Sequence, residues 1–270
     1  MFIEFEGKQI YTEVHGAGEP LVILNGIMMS TLSWAPLVPA LAKHNQVILF
    51  DMLDQGQSSK MTEGYHICLQ AEVLKRVLDE LGHQKAHLVS ASYGAAVAMH
   101  FALKYPERVD KLILANCASY ASEWLKQLGA GWMAARNAPE AMYHSAMSVI
   151  YSIEFFNKNQ AWMDSRRAFL LTHAFRNDEF IDALGRLMHS FTQHDVRDRL
   201  GEIRARTMLI GSRDDLMTPV YEQRYIYDRL PNASFFAVIE DCGHASPYEK
   251  PDSFLSLVSG FLNTDTVIIA

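Results

Sequence analysis

One recurring pair constrains this chain more than anything else: a short aliphatic run, then a stretch with helical periodicity. Leu21-Val-Ile-Leu24, Gln46–Phe50, Ala86–Ser90, Lys111–Ala115, Thr207–Gly211 and Ser234–Ile239 are the runs. Apolar residues that continue without alternation read as strands buried on both faces. The helical stretches are Trp34–Ala42 with Ser33 as N-cap, Tyr65–Leu81 closed by Gly82, Ala95–Lys104, Val220–Arg229, and a last one from Pro247. Strands alternating with helices make βαβ units, hence an α/β fold whose mostly parallel sheet has helices on both faces. Phe2–Phe5 and Gln9–Val14, around Glu6-Gly7-Lys8, add an opening hairpin and bring the expected sheet to eight strands.

Residues 118–206 interrupt the alternation with helical periodicity and no convincing strand. The expected organisation is therefore a core of 1–117 and 207–270, with 118–206 inserted as a helical cap. That segment holds three of the four Trp (Trp124, Trp132, Trp162). Packing of cap helices explains most such residues, and a minority are expected to line a pocket for an apolar chain. With 49% hydrophobic residues the chain is no disordered polymer, and a net charge of −7 argues against nucleic acid or an anionic membrane as partner. No apolar segment approaches the ~20 residues of a membrane span. The opening residues lack a basic stretch before an apolar one, so no signal peptide is expected. Cys68, Cys117 and Cys242 are few and far apart, which fits free thiols in the cytoplasm.

Ligands of such sheets bind beyond the carboxyl ends of the strands, so the loops there carry the chemistry. Ser90-Ala-Ser92-Tyr-Gly94 joins a strand to a helix in the small-x-Ser-x-Gly pattern of a nucleophile elbow, with Ser90 where Gly usually stands. A serine hydroxyl needs a base. Of the eleven histidines, His244 in Asp241-Cys-Gly-His244 follows the last strand on the same edge. An orienting acid should lie between them in sequence. Gly211-Ser-Arg-Asp-Asp215 offers two, and a spacing of three residues from Gly211 favours Asp214 over Asp215. An oxyanion hole needs two backbone amides, expected from Tyr93 and from Ile27 after the Leu21–Leu24 strand.

With these pieces in order the chain resembles the α/β-hydrolase superfamily over nearly its whole length. Asp51-Met-Leu-Asp54-Gln-Gly56-Gln-Ser58 is similar to a loop many members carry as Asp-x-x-Gly-x-Gly-x-Ser, with Asp54 for the first Gly. Asn25-Gly26 stands where most have His-Gly. Within the superfamily, Leu24–Met28, Val47–Asp51, Gly56–Ser58 and His87–Ser92 resemble the 3-(3-hydroxyalkanoyloxy)alkanoate synthase and 3-hydroxyacyl transacylase branch. The resemblance implies an acyl-enzyme mechanism on Ser92, Asp214 and His244, without cofactor or metal. The function expected is hydrolysis of a carboxylic ester or thioester. The alternatives are acyl transfer from acyl carrier protein or coenzyme A, and a ligand-binding protein that keeps the fold without the activity.

Overall fold

The computed structural model describes residues 1–264. Eight strands, β1 (Phe2–Phe5), β2 (Lys8–His15), β3 (Glu19–Leu24), β4 (Asn45–Phe50), β5 (Ala86–Ala91), β6 (Val109–Ala115), β7 (Arg206–Ser212) and β8 (Ala233–Ile239), form one sheet in the order β1-β2-β4-β3-β5-β6-β7-β8. The sheet is mixed. β1–β2 and β2–β4 pair antiparallel, and every other pairing is parallel.

The unbroken apolar runs serve two cores, because successive side chains of a strand point to opposite faces. In β3, Val22 and Leu24 join a cluster covered by α2 (Cys68–Glu80) and α3 (Tyr93–Lys104). Leu21 and Ile23 face the other way, toward Trp34, Leu37 and the Phe254, Val258 and Phe261 stripe of α11 (Pro251–Leu262). The helix expected over Trp34–Ala42 is instead a 3₁₀ turn at Thr31–Trp34 followed by a single turn of α1 (Val38–Leu41). Pro36 and Pro39 lack the amides that a continuous helix would need. Ser33 is not an N-cap; its hydroxyl accepts a bond from the Ser30 amide at 3.1 Å.

Between β6 and β7 lie α4 (Glu123–Ala134), α5 (Pro139–Ile150), α6 (Ile153–Lys158), α7 (Gln160–His173) and α8 (Asp178–Phe191). Ser122, Ser152 and Asn177 cap α4, α6 and α8 by accepting from amides one turn ahead. At the base of the insert its two connections are zipped together. Tyr120 bridges Asp195, the Ala121 amide donates to His194 O at 2.8 Å, and the Val196 amide donates to Ser119 O at 2.9 Å. The inserted helices share a core of their own, which Met217 and Ala245 enter from the loops after β7 and β8. α9 (Val220–Tyr227) and α10 (Ser246–Glu249) complete the helices. No helix among the described residues is long and apolar enough to cross a membrane.

Candidate active site

Ser92 sits where β5 turns into α3, with φ 53° and ψ −118°. Few non-glycine residues adopt this region, and the cost of order 1–3 kcal/mol is borne by the surrounding packing. Gly94 makes the turn possible: a Cβ there would lie 2.4 Å from Leu24 O and 2.7 Å from Asn25 O. Ser90, the departure from glycine, is fully buried, and its hydroxyl is satisfied by Ile113 O at 2.6 Å.

The loop after β8 brings His244 Nε2 within 2.9 Å of Ser92 Oγ. The other ring nitrogen, Nδ1, meets a carboxylate at 2.9 Å, and that carboxylate belongs to Asp215. The expectation of Asp214 is therefore corrected. Asp214 is exposed, and its amide is bonded to Cys242 O at 2.9 Å. The spacing of three residues runs from Gly211, but β7 extends through Ser212, and the same spacing from its true end reaches Asp215.

Asp215 is 3% exposed. Its Oδ1 accepts from the Met217 and Thr218 amides at 2.9 and 2.8 Å, and its Oδ2 from Thr218 Oγ1 and Asn116 Nδ2 at 2.9 and 3.0 Å. Burial pushes its pKa up, yet His244 and these donors outweigh that and hold the carboxyl below its ordinary value. Asn116, at φ 47° just after β6, was not singled out in the sequence. It also bonds Ser212 Oγ at 2.9 Å and accepts from Ser246 Oγ at 2.6 Å, joining the loops after β6, β7 and β8. An Asn directly after a strand on the binding edge was the available signal.

The insert reaches this site directly. The His244 amide donates to Ile150 O at 2.8 Å, at the end of α5. Glu249 Oε2 accepts from the Gly243 amide at 3.0 Å and from Ser152 Oγ at 2.6 Å. Gly243 is required here, since a Cβ would lie 2.5 Å from the Ser152 nitrogen and 2.9 Å from Ile150 O. On the opposite side, Asn25 is buried with its side chain bonded to Phe50 O, Gln55 Oε1 and Trp34 Nε1. Gln55 donates to Gly26 O at 2.8 Å. This network fixes the turn that carries Ile27. Neither the Ile27 nor the Tyr93 amide has an acceptor among the described residues.

Two lobes open at Ser92. One, of about 270 Å³, lies beneath α4 and α8 and is walled by Leu125, Leu128, Trp132, Met133, Met188 and Phe191. The other, of about 80 Å³, contains His244, Met147, Tyr248 and Arg166. Arg166 and Tyr248 also line a wider mouth of about 520 Å³, rimmed by Leu32 and Phe169. Among the described residues Arg166 Nε is buried without a hydrogen-bond partner, and its guanidinium lies 5.4 Å from the Tyr248 ring centre. Of the histidines between β6 and β7, His189 lines the larger lobe and His173 the mouth. Among the described residues no group of three or more His, Cys, Asp or Glu is placed to hold a metal ion.

Residues 19–142 match the family model described as alpha/beta hydrolase fold. The 2-hydroxy-6-oxononadienedioate/2-hydroxy-6-oxononatrienedioate hydrolase of Paraburkholderia phymatum is 31% identical over 265 residues, 93% of this chain and 90% of that one. The chain belongs to the α/β-hydrolase fold family. Among solved structures, MGS-M2, an alpha/beta hydrolase enzyme from a Medee basin deep-sea metagenome library, is 38% identical with a TM-score of 0.96, covering 100% of this chain and 99% of its own. RutD of Azorhizobium caulinodans, a proposed carbamate hydrolase by name, is 28% identical over 254 residues, 93% of this chain and 94% of its own. These relatives are hydrolases, and the chain is an enzyme of that family. None of the three is named as an acyltransferase, so the narrower resemblance to the 3-hydroxyacyl transacylase branch gains nothing from them.

Proposed function

We propose that this enzyme is a serine hydrolase of carboxylic esters or thioesters, with Ser92 as nucleophile, His244 as base and Asp215 as the orienting acid. The observation that carries the reading is the continuous bonded path from Ser92 Oγ through both ring nitrogens of His244 to a buried carboxylate. In it, Ser92 Oγ attacks the acyl carbonyl while its proton passes to His244 Nε2. Asp215 holds the proton on Nδ1 and stabilises the imidazolium. The Ile27 and Tyr93 amides receive the oxyanion. Collapse of the tetrahedral species expels the leaving group with the proton from Nε2. Water then attacks the acyl-enzyme, gives a proton to His244, and releases the acid and free Ser92.

The lobes support an assignment of sides. The leaving group takes its proton from His244, so it belongs in the smaller lobe, which His244 lines. The acyl chain then occupies the larger, apolar lobe under residues 118–206, the cap of this reading. Arg166, with its unpartnered Nε at the boundary between small lobe and mouth, favours a polar or anionic leaving group. Acyl transfer to a hydroxyl acceptor would use the same steps with the acceptor in place of water.

The test is labelling by a fluorophosphonate followed by turnover of p-nitrophenyl esters. Wild type is expected to be labelled on Ser92, and Ser92→Ala to lose turnover by on the order of 10³ or more. Near-normal turnover by Ser92→Ala refutes the mechanism. Product analysis with and without an added acceptor alcohol separates hydrolysis from transfer.

A further inference from the structure

We infer that the ion pair between Asp54 and Arg186 sets which acyl chains the site accepts, by locking helix α8, one wall of the larger lobe, against the core. The inference rests on the hydrolase reading above for the identity of that lobe. Arg186 Nη2 lies 2.7 Å from Asp54 Oδ1, with Nε 3.1 and 3.2 Å from the two oxygens. The Asp54 side chain is 0% exposed and that of Arg186 19%. Among the described residues this is the sole ion pair joining helices α4–α8 to the core; the others on those helices stay within the insert. Lys60 cannot substitute for Arg186, because its ammonium is taken by the carbonyls of Gln55, Gly56 and Ser58.

Arg186 shares a face of α8 with Ser190, one turn further on. Ser190 Oγ donates to Leu187 O at 2.7 Å, so the Tyr93 hydroxyl, 2.8 Å away, must be the donor to it. Leu187, between them, packs into the sheet-side core. The neighbouring positions Gly185, Met188 and His189 line the lobe. One face of α8 therefore grips the loop after β4 and the residue following Ser92, while the next faces the chain-binding space. The helix cannot slide outward to admit a longer chain without taking the one cationic partner from the buried Asp54 carboxylate and leaving it the Met61 amide, 2.9 Å from Oδ1, which is costly.

Asp54 occupies the position that glycine fills in the loop this sequence resembles, and its φ of 69° is in the region that favours glycine. Asp54→Gly thus removes the carboxylate without straining the backbone; it also takes the acceptor of the Met61 amide, so Arg186→Met, which leaves that bond in place, is measured beside it. The kcat and KM of wild type, Asp54→Gly, Arg186→Met and Arg186→Lys are measured on p-nitrophenyl esters from acetate to dodecanoate, with melting curves to confirm folding. One methylene newly buried or excluded changes binding about fourfold. The expected result is a KM-borne shift of at least about that size in the ratio of long- to short-chain kcat/KM for Asp54→Gly and Arg186→Met. The kcat on acetate is retained, and Arg186→Lys recovers the wild-type profile. Folded variants whose chain-length profiles superimpose on wild type overturn the inference. If wild type cleaves no ester and Ser92 resists the fluorophosphonate, the hydrolase reading fails by itself. The latch is then judged from quenching of Trp132 by alkanoates of increasing length: altered affinities in Asp54→Gly support it, and unaltered ones overturn it.

Discussion

Asp215 and Asp214 are adjacent carboxylates with opposite surroundings, one enclosed by four donors and the His244 ring, the other in solvent. That contrast makes a sharp prediction. Asp215→Asn replaces an acceptor with a group that cannot hold the His244 proton on Nδ1, and kcat is expected to fall by about 10³–10⁴. Asp214→Asn should leave steady-state kinetics close to wild type, and a comparable loss in both variants would contradict the assignment. Arg166 gives a second test at this scale. Arg166→Met should raise KM for esters with an anionic leaving group and spare neutral ones, read from paired substrates that differ in that group alone. Ser92 and His244 were legible because each stands in a short loop directly after an unmistakable strand. The proposed acid lies one residue beyond the one the sequence favours, since a strand's last residue depends on ladder bonds that no local pattern reveals. Glu249 was not legible, and Asn116 showed only as an Asn directly after a strand. Their partners lie 99 positions away at Asp215 and 97 at Ser152, so only the folded chain brings them to bear.

Among the elements, the most consequential junction is the one between the α5–α6 corner and the loop carrying His244. Its parts are the Ile150 carbonyl, Ser152, Gly243 and the Glu249 carboxylate, and burial pushes the Glu249 pKa up despite the donors around it. Removing that carboxylate leaves the Gly243 and Ser152 amides without their acceptor, at about 1–3 kcal/mol for an unsatisfied buried group. Glu249→Ala is thus expected to lower both the melting temperature and kcat, with a smaller effect on KM, because His244 moves while the lobes remain. Gly243→Ala should be worse on both counts, as its methyl group must push the corner away. A Glu249→Ala protein with unchanged kcat would show that the loop holds His244 unaided. Sequence patterning placed the strands well, because fully buried strands have an unambiguous apolar signature. It failed over residues 34–42, where apolar spacing suggested a helix that two prolines forbid. It was also silent on the lobes, which form between side chains of helices whose relative placement no periodicity encodes.

At the scale of the whole molecule, the insert is tied down at α8, at the α5–α6 corner, and at its base, where its two connections meet the core beside His194. The base holds a chain of hydrogen bonds whose direction is fixed throughout. His194 Nε2 must donate to Ala118 O, at 3.1 Å, which leaves Nδ1 as an acceptor. His100 Nε2 donates to that nitrogen at 3.1 Å, so its Nδ1 accepts in turn from Cys68 Sγ at 3.4 Å. Both imidazoles are therefore neutral, and a proton on either would reverse a donor. Burial, with His194, His66 and Arg199 nearby, holds the His100 pKa down at about 3. Burial lowers that of His194 to about 4, against the opposing pull of Ala118 O and Asp195. Since both folded values lie below the ordinary histidine value of 6.5, the unfolded chain takes up protons first as pH falls. The stabilisation is complete above pH 6.5 and drains away toward pH 4 and then 3, at about 1.4 kcal/mol per pH unit for each histidine at full slope. Urea unfolding at pH 7.5, 6.5, 5.5 and 5.0 should show wild type losing stability faster than His100→Phe, which carries one fewer of these groups. His87, whose pKa burial also lowers, contributes equally to both proteins and cancels in the difference. Equal slopes would mean that these imidazoles titrate alike in the folded and unfolded chain, and that the base of the insert draws no stability from their neutrality.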